Sequence, residues 1–345
     1  MLELHSPDGA FERIEAYLRK RGFFAPGGED LVADLYLGYG LSDPLRRRRE
    51  MPPPEPCPLP LAAVGVRRDE LVLQEHNPPR IGLWKRSWAD SDYAEAVEAV
   101  RTAIGRGDVY QVNLVQHLSA PFEGDPAALA QLLAPFAPRL LTGDGWTIVS
   151  ASPELFLGRR GRDVWTCPIK GTRPLGEPVE GEKDAAEHVM IVDLERNDLS
   201  RICEPGSVRW PELMTEHELA GVTHLVSTVE GTLRNGVGLA ELLAATFPGG
   251  SVTGAPKIAA LDLIAELEPV GRGASMGALG TVRGNGDLEL ALTIRTFAVT
   301  AGRIHLWAGG GIVWDSNPED EIEESWTKAR PLLAAIGAPV EADVR

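Results

Sequence analysis

The sequence has little cysteine, and its three cysteines are scattered. Cys57, Cys167 and Cys203 are the only ones among 345 residues, and neither a CxxC pair nor a nearby histidine accompanies any of them. Structural zinc sites and disulfide frameworks both need closely patterned cysteines. We therefore expect reduced thiols and a cytoplasmic protein.

Long apolar runs and excess positive charge are also missing. No uncharged apolar stretch approaches the roughly 18 to 20 residues that a membrane-spanning helix needs, and charges within the first turns argue against a signal peptide. With 50 acidic and 34 basic side chains, the net charge is −16. Because phosphate backbones require a positive surface, we do not expect nucleic acid as a partner. Because long apolar runs are missing, we do not expect a membrane as a partner either.

The hydrophobic pattern predicts helices interspersed with hairpins. A strictly alternating strand is expected over residues 110–118, and a hairpin over 277–299 has Gly284, Asn285 and Gly286 at its turn, where we expect positive φ angles. This mixture, without the spacing of βαβ units, favours an α+β fold. Helices are predicted near residues 11–18, 91–104, 126–133, 182–194, 239–246, 256–266 and 318–333.

The last predicted helix carries charges close to a glycine run. Asn317 and Pro318 are typical of a helix start, and the resulting phase places Glu321, Glu324 and Lys328 on one face. One interpretation is an ordinary solvent-exposed helix face, which has the same pattern of charges. The glycines at 309–311 favour a second interpretation, because they let an anionic ligand approach backbone N–H groups.

Two further segments contain candidate ligand groups. Asp184 and Glu187 lie near a helix start, where acidic residues also serve as ordinary caps. Glu187 gains interest together with Glu324, because Mg²⁺ is often held by two carboxylates and several waters. In FPGGSVTGAPK, glycines precede a helix start beside Lys257, an arrangement that predicts a cradle for an anion.

Glu154 and Lys170 are candidates for proton transfer and nucleophilic attack. Glu154 begins a predicted strand in ASPELFL. Lys170 lies between a proline and a glycine in TCPIKGTRPLG, where a predicted strand meets a loop. A lysine at such a place usually faces solvent. If it were buried near a metal, its pKa would fall, and the free amine could act as nucleophile or base.

Taken in order, these segments resemble the chorismate-utilising enzymes, which include anthranilate synthase, aminodeoxychorismate synthase, isochorismate synthase and salicylate synthase. The resemblance implies an α+β fold with two packed antiparallel β-sheets flanked by helices. It also implies a Mg²⁺-dependent reaction on chorismate, with an abbreviated N-terminal region (1–85) that contributes to the sandwich and a catalytic domain (86–345). The matching blocks are GDVYQVNL, SPELFL, PIKGTRPLG, AEHVMIVDLERNDLSRI, THLVSTVEG, FPGGSVTGAPK, LTIRT and AGGGIVWDSNPEDEIEES.

Lys170 distinguishes between members of this family. Anthranilate synthases usually read PIAGT at this block, whereas aminodeoxychorismate synthases read PIKGT, as this chain does. The resemblance therefore implies component I of aminodeoxychorismate synthase, a transferase that aminates chorismate at C4 through a covalent lysine adduct, on the way to 4-aminobenzoate and folate. The alternatives are anthranilate synthase component I, isochorismate synthase and a non-catalytic chorismate-binding regulatory homologue.

The family also implies a role for individual residues. Lys170, Glu154 as proton donor and His224 are the catalytic candidates, although a hydrogen-bonded structural role suits His224 equally well. The implied substrate-binding residues are Gln111, Gly171, Thr172, Ser275, Arg295, Gly309, Gly311 and Lys328. The implied Mg²⁺ ligands are Glu187 and Glu324, with Glu321 and Asp184 acting through water.

The chain departs from the family pattern at three points. Ser275 stands where relatives commonly have a tyrosine, which shortens the reach to the substrate carboxylate. No LLES-like motif occurs, so feedback control by tryptophan is not supported. No nucleophilic cysteine lies in a GxCxG turn either. Ammonia is therefore expected from solution or from a separate glutamine amidotransferase subunit.

Overall fold

The computed structural model describes residues 1–48, 51–68, 77–174, 182–219 and 222–338. Each predicted helix is present in this part of the chain, and the fourth continues past its predicted end at Leu194. Asn317 caps the last helix as expected, its side chain accepting hydrogen bonds from the backbone N–H groups of Glu319 and Asp320. The helices are α1 (Ala10–Arg19), α2 (Asp90–Gly105), α3 (Ala128–Leu132), α4 (Glu182–Ser200), α5 (Leu239–Thr246), α6 (Lys257–Leu267) and α7 (Pro318–Ala335).

The first of two β-sheets joins strands from both halves of the chain, and its strand pairs are antiparallel. Its order is β1-β3-β2-β15-β16-β9-β10-β13-β11, with β12 also paired to β13. The strands are β1 (Leu2–Leu4), β2 (Leu31–Leu37), β3 (Ala62–Arg68), β9 (Leu155–Arg160), β10 (Asp163–Cys167), β11 (Ile169–Pro174), β12 (Arg209–Leu219), β13 (Val222–Thr232), β15 (Ala278–Arg283) and β16 (Leu288–Leu292).

The second sheet has the order β14-β6-β18-β17-β8-β7, with two short strands, β4 and β5, also paired to β6. Its longest pairing joins β6 to β18, where Gly309, Gly310 and Gly311 lie opposite Val115, Leu114 and Asn113. The strands are β4 (Arg80–Ile81), β5 (Lys85–Arg86), β6 (Gln111–Glu123), β7 (Arg139–Gly143), β8 (Trp146–Ser150), β14 (Gly254–Ala255), β17 (Thr296–Thr300) and β18 (Arg303–Ile312).

The two sheets pack against each other, and α7 covers the far side of the second. The larger apolar core contains Leu35 and Leu290 from the first sheet together with Ile148 from the second. A smaller core contains Phe297 of the second sheet and Trp326 of α7. Because burial of each such side chain contributes roughly 1.5 to 3 kcal/mol, these two layers hold the sandwich together. The α+β architecture with two antiparallel sheets and flanking helices is thus confirmed.

The turn between β15 and β16 differs from its prediction. Gly286 has a φ of 93°, as expected, but Gly284 and Asn285 do not have positive φ. Gly284 is needed for a different reason, since a Cβ there would lie 1.6 Å from the backbone oxygen of Gly28. The chain after β16 also leaves the hairpin, because β17 belongs to the second sheet.

A buried ion pair fastens the end of α6 to the second sheet. Arg272 and Glu268 are 2.7 Å apart, and their side chains are 1% and 2% exposed. Glu268 accepts a hydrogen bond from the backbone N–H of Val115, and Arg272 donates to the carbonyl of Asn113. These bonds fix the segment after α6 against β6, which leads into the candidate site.

The N-terminal residues belong to the first sheet through β1, β2 and β3, and β2 pairs directly with β15. A boundary at residue 85 stays a prediction. Within the described residues, no helix is both long and apolar enough to cross a bilayer.

Candidate active site

Lys170, Glu187 and Gln111 meet although they are far apart in sequence. They come from β11, α4 and the start of β6, and β11 lies at one end of the first sheet. Lys170 Nζ and Gln111 Nε2 each lie 2.5 Å from Glu187 Oε1. The backbone bends beside Lys170, because Gly171 has a φ of 57° and the pairing register shifts between Lys170 and Thr172.

The Lys170–Glu187 pair is nearly buried, with side-chain exposures of 14% and 12%. Burial disfavours both charges, but the opposite charge outweighs it: the pKa of Lys170 is raised and that of Glu187 is lowered. A lysine buried near a metal is expected to have a lowered pKa, but Lys170 does not, because Glu187 lies beside it. Lys170 is held here as an ammonium.

Glu154 is a buried carboxyl on the approach to β9. It is 5% exposed, and Ser251 Oγ donates a hydrogen bond to its Oε1 over 2.7 Å. Burial raises the pKa of Glu154, and this effect exceeds the opposing influence of Ser251, Lys170 and Lys328. A carboxyl with a raised pKa is suited to donating a proton.

The glycine run of β18 gives three carboxylates room beside the backbone. A Cβ on Gly310 would lie 3.1 Å from Glu324 Oε1 and 3.3 Å from Glu321 Oε2, both of α7. A Cβ on Gly311 would lie 2.7 Å from Glu187 Oε1. Any side chain at these two positions would therefore fill the space between α4, α7 and the strand.

Lys328 lies at the outer edge of the same group. Its Nζ is 2.8 Å from the carbonyl oxygen of Gly309 and 2.7 Å from Glu324 Oε1. The Lys328 and Glu324 side chains are 42% and 49% exposed. The charged face predicted for α7 thus combines a buried member, Glu321, with two solvated ones.

These carboxylates fit Mg²⁺ by the chemistry of their donors. Mg²⁺ prefers oxygen ligands and commonly uses only one or two carboxylates, keeping several waters. Among the described side chains, no group of three or more histidines, cysteines or acids is arranged to hold a metal ion. Glu187 and Glu324 on either side of a bare glycine strand fit such an open, water-rich site, and the side chain of Asp184 lies outside the described ones.

Arg295 is an electrostatic neighbour of both His224 and Glu154. His224 is 1% exposed and pairs across the strands with Thr172, two residues past Lys170. Burial and the Arg295 charge lower the pKa of His224, so the imidazole is neutral at pH 7. A cleft of about 200 Å³ opens here and is lined by Pro153, Leu155, Cys167, Ile169, His217, Glu218, His224 and Val226.

Two predicted residues have other contacts in the structure. Ser275 is fully buried, and its hydroxyl donates to the carbonyl of Thr293, so its contact with substrate stays a prediction. Lys257, predicted beside an anion cradle, pairs with Asp198 at 2.5 Å, and the cradle stays a prediction. The side chain of Thr172 lies outside the described ones, although its backbone belongs to β11.

Two residues near Glu154 were not predicted from the sequence. Ser251 lies in the glycine-rich block FPGGSVTGAPK, where no sequence pattern marks its hydroxyl. Glu195 is a buried acid of α4 in the ordinary-looking stretch VDLERND. An acid on the buried face of a helix is unusual. The position of Glu195 on the inward face of α4 could therefore have identified it from the sequence.

Comparisons with known proteins agree on one family. A family model described as chorismate binding enzyme matches residues 54–334. Anthranilate synthase component 1 of Thermus thermophilus is 44% identical over 276 residues, 74% of this chain and 60% of the relative. Aminodeoxychorismate synthase component 1 of Salmonella typhimurium is 41% identical over 266 residues, 72% of this chain and 58% of the relative. The chain thus spans less than two thirds of these relatives.

A solved structure shows the same architecture. The crystal structure of anthranilate synthase component I from Streptococcus pneumoniae TIGR4 superposes with a TM-score of 0.76 and 28% sequence identity. The match covers 87% of this chain and 80% of that one.

Proposed function

The chain belongs to the family of chorismate binding enzymes, and we propose that it aminates chorismate at C4 to give 4-amino-4-deoxychorismate. The observation that carries this proposal is Lys170, which lies inside PIKGT and is held beside Glu187. Relatives of similar identity include both anthranilate and aminodeoxychorismate synthases, so overall similarity does not decide between these products.

Glu154 is the proposed proton donor of the first step. Lys170, an ammonium while it is paired with Glu187, first gives up one proton to solvent. Its amine then adds to C2 of the ring, the ring double bond shifts, and the C4–O bond breaks. The proton of Glu154 passes to the departing oxygen, which leaves as water. The raised pKa of Glu154 supports this role, because the carboxyl must hold its proton until the bond breaks.

Ammonia completes the proposed reaction by the reverse displacement. Its nitrogen attacks C4, the double bond shifts back, and the C2–N bond to Lys170 breaks. The new ammonium at C4 releases one proton, which restores Glu154. Two successive displacements return nitrogen to the position and face that the hydroxyl held.

The remaining site residues are proposed to position the substrate. Arg295 suits a carboxylate, since a guanidinium can donate two parallel hydrogen bonds. Glu187 and Glu324 would hold Mg²⁺, with Glu321 and Asp184 acting through water, and the ion would supply positive charge for the ring carboxylate. Gln111, His224, Lys328 and the backbones of Gly171, Thr172, Gly309 and Gly311 complete the proposed site.

A product assay tests this proposal. The purified protein is given chorismate, Mg²⁺ and an ammonium salt, and aminodeoxychorismate is measured as 4-aminobenzoate after a lyase is added. Glutamine alone should not replace ammonium, because we propose that a separate glutamine amidotransferase subunit supplies ammonia. Anthranilate or isochorismate as the product would refute the assignment. Mg²⁺-dependent chorismate binding without turnover, even with a glutaminase present, would support a regulatory homologue.

A further inference from the structure

We propose that Glu195 is a positioning residue that shares one proton with Glu154, so that the pair carries a single negative charge over the working pH range. This proposal rests on the proposed function, in which Glu154 donates a proton. Glu195 reaches the same place from α4 and has no assigned role.

Both carboxyl side chains lie beside the backbone turn formed by Gly250 and Ser251. Ser251 Oγ is 2.7 Å from Glu154 Oε1, and a Cβ on the preceding Gly250 would lie 3.7 Å from Glu195 Cγ. Glu195 is 8% exposed, and its Oε2 accepts a hydrogen bond from Thr166 Oγ1 over 3.1 Å. Two buried carboxyls this close to one turn cannot both ionise cheaply.

The surrounding charges divide unequally between the two carboxyls. Glu154 has two cations, Lys170 and Lys328, as electrostatic neighbours, whereas Glu195 has one, Lys257. Each of these lysines is also paired with another carboxylate. Burial and the Glu154 charge raise the pKa of Glu195 to about 8, although the Thr166 hydroxyl lowers it. The titratable and charged groups around the pair are Cys167 of β10, Lys170 of β11, Asp198 of α4, Lys257 of α6, Arg295 before β17 and Lys328 of α7.

A shared proton changes how Glu154 responds to pH. In a coupled pair, the single proton is distributed between the two carboxyls in a ratio that pH does not alter. The protonated fraction of Glu154 therefore stays constant until the second ionisation. A lone Glu154 would instead lose its proton progressively above its own pKa, about tenfold per pH unit.

Glu195→Gln tests this directly, because the amide keeps the shape and can still accept from Thr166. The rate of C4 amination by the variant, divided by that of the wild type at each pH, cancels the ionisation of ammonium. We expect this ratio to fall by about tenfold over at least one pH unit below 8. Glu212→Gln is the matched control: Glu212 also accepts from a threonine hydroxyl, Thr228, but is exposed, and its ratio should stay flat.

Two further measurements separate the possible failures. Glu195 holds its proton more tightly folded than unfolded, so the wild type should lose stability relative to Glu195→Gln as pH rises from 4.5 to about 8. Equal pH dependence of urea unfolding would refute the shared proton. If the pH dependence of urea unfolding differs but the rate ratio stays flat, Glu195 affects stability only, and its positioning role is refuted.

Thr166→Val tests the same idea in the opposite direction and remains informative if Glu195→Gln does not fold. Loss of the Thr166 hydroxyl raises the Glu195 pKa further, so the alkaline decline of the rate should move to higher pH. No movement would contradict the proposal. If the wild type forms a different product from chorismate, the proposed function fails. The same ratio is then measured on that product, because the C4 oxygen of chorismate still needs a proton as it leaves.

Discussion

Replacing Lys170 by alanine should separate what this residue does for stability from what it does for catalysis. Lys170 Nζ lies 2.5 Å from Glu187 Oε1, and both side chains are almost out of contact with water. Removing one partner of a buried pair costs about 3 to 5 kcal/mol. Gln111 still donates to the same oxygen, so we expect the lower end, about 3 kcal/mol, in the free energy of unfolding measured with urea.

The pH dependence of this loss follows from the two pKa shifts. The lowered Glu187 pKa contributes stability above its unfolded value of 4.5, and the raised Lys170 pKa contributes stability below its unfolded value of 10.5. The difference between wild type and Lys170→Ala should therefore be constant from about pH 5 to 10 and shrink outside that window. An unchanged unfolding energy would show that the pair is not formed as described.

Lys170→Arg is the matched variant for catalysis. Arginine keeps the positive charge beside Glu187, so most of the stability should remain, but a guanidinium is not a nucleophile at neutral pH. Both Lys170→Ala and Lys170→Arg should lower C4 amination on the order of 10³-fold or more, while chorismate binding measured by calorimetry changes little. Near wild-type product formation by either variant would rule out covalent catalysis by Lys170.

Three further perturbations have separate expected outcomes. Glu324→Gln should raise the Mg²⁺ concentration needed for activity but change the melting temperature little, because the Glu324–Lys328 pair is exposed; the reverse result would identify a merely structural charge. Burial lowers the pKa of His117 to about 3, so the free energy of unfolding should fall as pH drops below the unfolded pKa of 6.5. His117→Asn should flatten that pH dependence in urea titrations, and an identical slope in the variant would contradict this reasoning. Arg272→Met should cost about 3 to 5 kcal/mol in unfolding energy by leaving Glu268 buried and uncompensated, and a loss below about 1 kcal/mol would show that water reaches the site.

The features predictable from the sequence are those that depend on local pattern or on the order of motifs. Periodicity located the helices, and the cap at Asn317 set the phase that places Glu321 and Glu324 together. The resemblance grouped Gln111, Lys170 and Glu187, which the fold then brings into contact. A linear pattern could not show that Gly284 is required by Gly28, since that contact joins distant parts of the chain.

The charge states of the site could not be derived from the sequence. Burial alone would lower the Lys170 pKa, whereas a carboxylate at 2.5 Å raises it, and only the fold shows which effect prevails. Glu195 is a similar case, because an acid within a helical segment is ordinarily solvated. Its burial depends on how α4 packs against β10 and the turn at Gly250.

Some of the acids behind the net charge of −16 lie beside the cations of the proposed site. The proposed substrate, chorismate, carries two carboxylates. Two of the cations near the proposed site are already neutralised, Lys170 by Glu187 and Lys328 by Glu324. Arg295 remains as a cation whose electrostatic neighbours include the protonatable Glu154. A dianionic substrate therefore meets little unbalanced positive charge unless these carboxylates are drawn away from the lysines. The same carboxylates are the ones that fit Mg²⁺, so substrate binding, cation binding and release of the Lys170 amine are expected to be linked through Glu187 and Glu324.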